Sequence, residues 1–486
     1  MTRQPLPPAK PRKSQYGIDP ALVKMRGCEL PGITSVGIAE LFPEAPPVIY
    51  PRSEGDGRDG LAAIREATVR ALENVDLGMI KPGHTVNLLA SHHGFTLLGG
   101  GPYAEMLRTL RDVIIERTGT RKVRLRAGVG LRFRESEEYI KLHGLDDYFE
   151  GQATNISPID RGVAIDTVIG RLYGLAQAYN ADWIVHTHNS DVREIHFHRQ
   201  LDRAVKPFGM SYARIETRSC YHQNLGPRAS NFVARAIFDS DFVQKKFAFA
   251  VFLQMSPYGI LSVDAENNLY AIDERVNAIG LKYYSKLVNL FGEIDECICI
   301  LDFPGPIPYV FAGGTIYANM IDANVDLFDL DVPLPPYTFY TESYYTRSGK
   351  KLLPDIPPVN PALKMVVHNY AFGGYPCVFF SKNTPTIVVG REQADLFNRD
   401  PQNMEYMKHA MIADTLETAM DFAYRTAKTD KVIIFDGASM GMNVSESLAA
   451  YLRRAAPRVI RRVEQELLPK WLAQRGMSRD ILAAVA

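Results

Sequence analysis

Cysteine is scarce in this chain, and its spacing excludes two kinds of site. The cysteines are odd in number and include no Cys-x-x-Cys pair, whereas zinc knuckles and disulfide frameworks depend on paired cysteines at short, regular spacings. We therefore expect neither kind of site, and we expect the protein to work in the reducing cytoplasm. The five residues are Cys28, Cys220, Cys297, Cys299 and Cys377.

An excess of one charge and long apolar runs are also missing. Lys and Arg number 55 and Asp and Glu number 55, so no overall field favours nucleic acid or a membrane surface as a partner. The longest apolar runs, such as residues 247–253, fall far short of the roughly 20 residues that cross a bilayer. Residues 1–13 carry four basic residues and four prolines without an apolar core, which predicts a flexible arm rather than a secretory signal.

The rest of the composition is that of a globular protein with more than one core. Hydrophobic residues make up 46% and charged residues 23% of 486 positions, and this length exceeds what one hydrophobic core usually organises. From about Tyr50, helical and extended patterns alternate, which is typical of βαβ units around a mostly parallel sheet. The patterns predict helices over 61–74, 102–117, 163–179 and 231–238, and strands over 85–90, 122–127 and 182–186.

The second half continues in the same style after a β-rich stretch over 247–273. Its patterns predict strands over 296–301, 365–369, 386–389 and 431–435, and a long helix over 403–426. We therefore predict an α/β fold of two domains with mostly parallel sheets and an active site in the cleft between them. The predicted division is an N-terminal arm over 1–50, a first α/β domain over 51–240 that carries the site, and a second α/β domain over 241–486.

Histidine is concentrated between Trp183 and His222. At the end of an apolar strand, His186 and His188 would project from one face, because alternate strand residues share a face. Such a pair could bind zinc or manganese, and the alternative is a pair of histidines hydrogen-bonded to loop carbonyls. Asp191 and Glu194 are candidate ligands or groups that orient the rings, with solvated loop charge as the competing interpretation.

Other patches also carry two interpretations each. If the segment that contains Arg214, Glu216 and Arg218 is a strand, its arginines could bind a carboxylate or phosphate, or form a structural ion-pair ladder. The glycine turns over 311–315 and 435–441 could hold an anion at a helix start, or only pack a strand against a helix. An acidic cluster could bind a cation or form a solvated turn. Its members are Asp326, Asp329 and Asp331.

Three residues in the histidine-rich segment reproduce a known spacing. Lys206 follows His196 by ten residues and precedes His222 by sixteen, and this pattern resembles that of the nickel-pincer lactate racemases and their relatives. Residues 127–132, Ala-Gly-Val-Gly-Leu-Arg, are similar to that family's Ala-Thr-Gly-Thr-His-Arg motif, which comes at the same place in the order of parts. The resemblance covers about half of the chain, by order and spacing rather than by identity.

The resemblance implies a role for each of these residues. Lys206 would be joined covalently to a nickel-pincer nucleotide, His222 would complete the nickel coordination, and His196 would act as a general base. The residues that would hold the substrate carboxylate or a cofactor phosphate are Arg132, Arg214 and Arg218.

Two departures from the family pattern concern the opposing base. Leu131 stands where the family has its second catalytic histidine. Residues 91–94, Ser-His-His-Gly, stand roughly where the family has Asp-His-Thr-Arg. Either His92 or His93 would then serve as the opposing base, and His93 is the catalytic candidate that we adopt. A third difference is that residues 199–205 replace the glycine-rich turn before the lysine.

The leading hypothesis is therefore an isomerase, a racemase or epimerase of a 2-hydroxy acid or sugar acid. Its partner would be a small-molecule carboxylate, with no nucleic acid and no membrane, and a homo-oligomer is compatible with the sequence. The first alternative is a zinc- or manganese-dependent hydrolase or lyase that uses His186 and His188. The second alternative is a non-catalytic binding protein on the same scaffold.

Overall fold

The protein is described by a computed structural model. It describes residues 3–8, 19–51, 60–92, 100–129, 134–190, 204–220, 230–302, 326, 328–332, 361–370, 384–399, 411–438 and 440–485. Within these ranges the chain is a mixed α/β protein with two large sheets and one two-stranded ribbon, which confirms the predicted fold class. Among the described residues, no helix combines the length and the apolar character that a membrane span requires.

Fifteen strands lie within the described ranges. They are β1 Ile33–Gly37, β2 Thr85–His92, β3 Lys122–Val129, β4 Ala153–Ile156, β5 Gly162–Thr167, β6 Gly170–Leu175, β7 Trp183–Ser190, β8 Phe247–Ser256, β9 Gly259–Glu266, β10 Cys297–Leu301, β11 Leu363–His368, β12 Thr386–Val389, β13 Met411–Ala413, β14 Val432–Phe435 and β15 Gly441–Ser445.

The helices surround these strands. They are α1 Ile38–Leu41, α2 Leu61–Ala71, α3 Gly100–Thr118, α4 Arg134–Leu142, α5 Leu145–Tyr148, α6 Ala176–Tyr179, α7 Lys206–Gly209, α8 Ile215–Ser219, α9 Ser230–Phe238, α10 Asp241–Gln244, α11 Leu269–Ile279, α12 Ser285–Gly292, α13 Arg391–Arg399, α14 Leu416–Ala427, α15 Glu446–Arg462, α16 Leu468–Gln474 and α17 Ile481–Ala484. Short 3₁₀ turns cover Pro20–Leu22, Gly27–Glu29 and Leu72–Asn74, and π-helical turns cover Gly280–Tyr284 and Val463–Leu467.

The first sheet has the strand order β4-β3-β2-β7-β8-β9. All of its neighbours are parallel except the β8–β9 hairpin. Its two faces are covered by separate apolar clusters: one contains Leu88, Leu125 and Val185, and the other contains Leu89 and Ile184. Because alternate residues of a strand point to opposite faces, neighbours such as Leu88 and Leu89 pack into different clusters, so the sheet is covered on both sides.

The second sheet has the strand order β1-β15-β14-β10-β11-β12-β13. Its central strands β14, β10, β11, β12 and β13 are parallel, and β15 and β1 add an antiparallel edge. Every residue of β10 and β14 is buried, which matches their runs of Ile, Val, Leu and Cys. The strand order reverses at β10, as it does in doubly wound α/β sheets.

The structure corrects three of the predicted elements. Residues 163–179 form the antiparallel β5–β6 ribbon and the short α6 rather than one helix, because β-branched residues and the Val168–Gly170 turn override the helical spacing. The described part of the predicted 403–426 helix begins with the strand β13, and α14 starts only at Leu416. No helix follows the glycine turn over 435–441, since β15 begins at Gly441.

Strand pairing also links chain segments across the predicted boundaries. The first sheet continues beyond residue 240, because β8 and β9 pair with β7 and extend it to Glu266. At the other end, β1 lies within the predicted 1–50 arm and pairs with β15 of the second sheet. Pairings between segments this far apart depend on tertiary contacts that local patterns do not encode.

Candidate active site at the carboxyl edge of the first sheet

Three strands of the first sheet bring the segments singled out in the sequence to one edge. Strands β2, β3 and β7 are adjacent and parallel, so their carboxyl ends lie together, and that edge is where ligands bind in open α/β sheets. The chain leaves this edge at His92, at Val129 and at Ser190. Each of these points directly precedes a segment that contains a candidate residue, namely His93, Arg132 and His196.

Four of the candidates lie outside the described residues. They are His93, Arg132, His196 and His222. The loop acids Asp191 and Glu194 also lie outside the described residues. Their roles therefore stay predictions. The described candidates are His186, His188, Lys206, Arg214 and Arg218.

Lys206 begins the short helix α7 and is buried, with 6% of its surface exposed. Pro207 follows it and suits the first turn of a helix, where no amide donor is needed. The flanking Val205 and Phe208 are fully buried in the cluster that covers one face of the first sheet. This packing holds the backbone of Lys206 against the strands rather than at the surface.

The segment after Lys206 also packs directly on the end of β3. A Cβ atom at Gly128 would lie 2.4 Å from the carbonyl oxygen of Ser211, so only glycine allows the two backbones to approach this closely. Gly128 belongs to the stretch that resembles the racemase motif. The structure therefore explains that glycine by backbone packing beneath the Lys206 segment.

His186 lies within β7 with both ring nitrogens engaged. Nε2 lies 2.9 Å from the carbonyl oxygen of Ala204, and Nδ1 lies 2.9 Å from the hydroxyl of Tyr212. Because a carbonyl oxygen can only accept, Nε2 carries the proton in the neutral ring. Nδ1 then faces the Tyr212 hydroxyl, whose single proton serves both Nδ1 and the carbonyl oxygen of Leu89. Burial lowers the pKa of His186 to about 3, so the ring stays neutral. This is the arrangement of a core histidine and leaves no nitrogen open to a metal ion.

His188 lies two residues further along β7, closer to the edge. Its ring is stacked on that of His186 with 6.1 Å between centroids, which confirms that the two imidazoles share one face. Its Nδ1 lies 2.7 Å from the hydroxyl of Ser91 on β2. Within the described ranges, no group of three or more His, Cys, Asp or Glu side chains is arranged to hold a metal ion.

The two described arginines differ from the predicted strand row. Residues Ile215–Ser219 form the helix α8, so the expected extended face does not exist. Arg214 pairs with Glu216 at 3.0 Å. Arg218 is buried and donates from Nε to the carbonyl oxygen of Ala213 at 2.9 Å, which stabilises the turn that follows Lys206.

Several polar residues near this edge were not identified from the sequence. The hydroxyl of Tyr103 lies 2.7 Å from that of Thr187, and Thr187 donates to the carbonyl oxygen of Leu89 at 3.1 Å. Tyr212 lies 2.9 Å from the same carbonyl oxygen. These contacts join α3, β2, β7 and the segment after α7, which are far apart in the chain, so no local pattern could reveal them.

Two buried polar atoms near the ends of these strands have no hydrogen-bond partner among the described residues. They are Oγ of Ser211, on the Lys206 segment, and Oδ1 of Asn189, near the end of β7. Buried polar groups are nearly always satisfied, and a polar ligand beside the Lys206 segment would satisfy Ser211. That hydroxyl therefore fits a polar organic group held close to Lys206, which is the kind of group that the resemblance implies.

The other patches from the sequence have structural roles where they are described. Asp326 accepts hydrogen bonds from the amide of Phe328 and from Nε1 of Trp471. Asp329 pairs with Lys470 at 2.6 Å. The acidic cluster therefore anchors α16 rather than standing as a solvated turn. The glycine turn over 311–315 lies outside the described residues.

Comparisons with known proteins give little further information. No protein-family model matches the chain, and no curated protein is significantly similar to it in sequence. Among solved structures, the chain is similar to the lactate racemase apoprotein from Thermoanaerobacterium thermosaccharolyticum, with 13% identity and a TM-score of 0.39 over 77% of this chain and 92% of that chain. A similarity at this level carries no argument about activity.

Proposed function

We propose that the protein is a racemase or epimerase of a 2-hydroxy acid or sugar acid that uses a nickel-pincer nucleotide tethered to Lys206. The observation that carries the proposal is the burial of Lys206 beside the edge at which β2, β3 and β7 end. Those strands end at His92, Val129 and Ser190, and His93, Arg132 and His196 follow shortly after in the sequence. The His-Lys-His spacing indicates the chemistry, and the parallel strands support a common location for these residues.

The proposed roles of the protein residues follow from their chemistry. When bound, the cofactor would supply a reversible acceptor for the hydride on the α-carbon of the substrate. His196 would take the hydroxyl proton, and His93 would act from the opposite side, a positioned proton transfer that typically contributes about 10²- to 10⁴-fold. Lys206 would provide the covalent attachment and His222 a neutral nitrogen for nickel. Arg132 would hold the substrate carboxylate.

The arrangement at His186 disfavours the first alternative. A zinc or manganese hydrolase would need an open imidazole nitrogen on His186, and both nitrogens are already hydrogen-bonded. The binding-protein alternative differs from the proposal only in turnover, so activity with hydroxy acids separates the two.

The test is to produce the protein together with the cofactor-synthesis enzymes and to measure intact mass, bound metal and racemisation of a panel of 2-hydroxy acids. We expect nickel and a mass addition on the peptide that contains Lys206. Lys206→Ala should lose both, His222→Ala should keep the addition and lose nickel, and His196→Ala should keep both while turnover falls. Lys286→Ala is the matched control, since Lys286 is also buried, at 7% exposure.

Two results would contradict the proposal. One is zinc or manganese in the wild-type protein with no addition on Lys206, which would favour a hydrolase or lyase. The other is a loaded protein that binds hydroxy acids without turning them over, which would favour the binding protein.

A further inference from the structure

A buried arginine on β3 has no acidic partner. Arg126 is 7% exposed, and its Nη1 donates to the carbonyl oxygens of Leu125 at 3.0 Å and Gln152 at 2.9 Å, with the hydroxyl of Thr154 at 3.4 Å. All three acceptors are neutral. A buried ion without a counter-charge is strongly unfavourable, so this position calls for an anion that the described residues do not supply.

The unused side of the guanidinium has the geometry for that anion. Nε is buried and makes no hydrogen bond, and Nη2 makes none with the described residues. Nε and Nη2 lie along one edge of the planar group and donate in parallel, which is the fork that binds a carboxylate or a phosphate through two oxygens. The described residues therefore bind only Nη1 of Arg126, and Nε and Nη2 remain as a pair of donors for a two-oxygen ligand.

Neighbouring residues make the surroundings more positive. Lys122, Arg124 and Arg126 alternate along β3 and so lie on one face. Burial, and then the charge of Arg124, lower the pKa of Arg126 to about 10, which leaves it protonated at neutral pH. Arg124 is itself held in place, with Nε 2.9 Å from Oδ1 of Asn87. The carboxylate of Asp182, whose charge acts on Arg124, accepts a hydrogen bond from the amide of Thr85 at 2.7 Å.

Arg126 lies toward the outer strand of the first sheet. Its contacts with Gln152 and Thr154 place its guanidinium over the start of β4, and β4 is the outer strand of that sheet. Three of the four β4 residues are only partly buried. The candidate active site lies at the end of β3, three residues further along at Val129.

We propose that Arg126 is the centre of a second binding site, which holds a small oxyanion, the carboxylate or phosphate group of a small molecule, at the β4 edge of the first sheet. Arg124 and Lys122 strengthen the positive potential there. The site does not depend on the proposed racemase activity, because none of its residues belongs to the Lys206 site.

Calorimetric titration of the full chain with sodium phosphate, and separately with sodium acetate, at constant ionic strength tests this proposal. We expect saturable binding of at least one anion at a stoichiometry of one, and the anion that binds identifies the group. Arg126→Met should weaken that binding at least about tenfold, because the bidentate edge is lost. Arg121→Met removes an exposed positive charge from the same segment and should leave the affinity unchanged.

Arg126→Lys provides a second variant in case the methionine variant does not fold. It keeps the charge and removes the fork, so it should also bind the anion several-fold more weakly. The proposal is overturned if neither anion binds the wild-type protein saturably. It is equally overturned if the lysine and methionine variants bind the anion as tightly as the wild-type protein does.

Discussion

The two large sheets place their polar residues differently. In the second sheet, the central strands β10 and β14 are buried and apolar, and Asp302 and Asp436 directly follow them at their carboxyl ends. In the first sheet, polar side chains lie within the strands themselves, as Arg126 and His186 do. A polar group inside a strand must find its partners among the elements that cover the sheet, so the covering layer decides its chemistry.

The polar groups of the second sheet are paired with each other and with the N-terminal part of the chain. Oδ2 of Asp302 lies 3.0 Å from Nε of Arg26 and accepts the amide of Gly27 at 2.8 Å, and Oδ1 accepts from Nδ2 of Asn369 at 2.8 Å. The guanidinium of Arg26 also lies over the ring of Tyr370. Among the described residues, these contacts pair both carboxylate oxygens of Asp302. In contrast, Oγ of Ser211 and Oδ1 of Asn189 in the first sheet, like the hydroxyl of Tyr370 in the second, have no partner there.

The largest expected effect comes from removing the buried carboxylate of Asp302 at the edge of the second sheet. Asp302→Ala leaves the partly buried Arg26 and the amide donors of Gly27 and Asn369 without their acceptor, so the free energy of unfolding should fall by about 3–5 kcal/mol. Urea denaturation monitored by circular dichroism measures this. Asp421→Ala, at an exposed residue of α14, is the control and should change little. A loss no larger than that of the control would show that the Arg26 contact does not stabilise the sheet.

A smaller effect is expected where the first sheet meets the Lys206 segment. Gly128→Ala forces a Cβ against the carbonyl oxygen of Ser211, and overpacking of this kind typically costs about 1–3 kcal/mol. Hydrogen exchange should increase in residues 206–213, because the segment must shift away from β3. Gly101→Ala is the control, since a Cβ there meets only ordinary contacts. Unchanged exchange in residues 206–213 would contradict the close packing described for this edge.

The smallest effect concerns the pH dependence that the buried histidines confer. Burial lowers the pKa values of His186 and His368 to about 3, below the value near 6.5 of an unfolded histidine. Each therefore contributes stability that is present above about pH 6.5 and is lost as the pH falls toward 3. Burial raises the pKa of Asp302 to about 6, which acts in the opposite direction below that pH.

His186→Phe isolates one of these contributions. It should destabilise the protein at pH 7.5, because Tyr212 and the carbonyl of Ala204 lose their partner. The difference from wild type should shrink by up to about 1.4 kcal/mol per pH unit below pH 6.5. Denaturation at pH 7.5, 6.5 and 5.5 checks this. His368→Phe, in the second sheet, should likewise reduce the change of the free energy of unfolding with pH. A pH-independent difference would mean that His186 has the same pKa in the folded and the unfolded protein, which would contradict its burial as a neutral ring.

Local patterns predicted much of the fold. Seven elements agree with their predicted positions within a few residues: the strands β2, β3, β12 and β14 and the helices α2, α3 and α9. In each of them the apolar residues fit the period of one element type only, either strand or helix. The helix predicted over 163–179 was wrong, because the apolar residues of this segment fit both a helical and an alternating spacing. The partner strand and the Val168–Gly170 turn decide between them, and neither lies in the pattern itself.

The candidate site divides in the same way. The order and spacing of His196, Lys206 and His222 are properties of the chain alone, as are its balanced charge and the alternation that predicts an α/β fold. Only the tertiary structure decided that His186 is a core histidine, that a helix begins directly after Arg214 and contains Arg218, and that Arg126 is buried with no acidic partner among the described residues. The physical reason is that the partners of a buried polar group come from distant segments, and the sequence does not show which segments will meet.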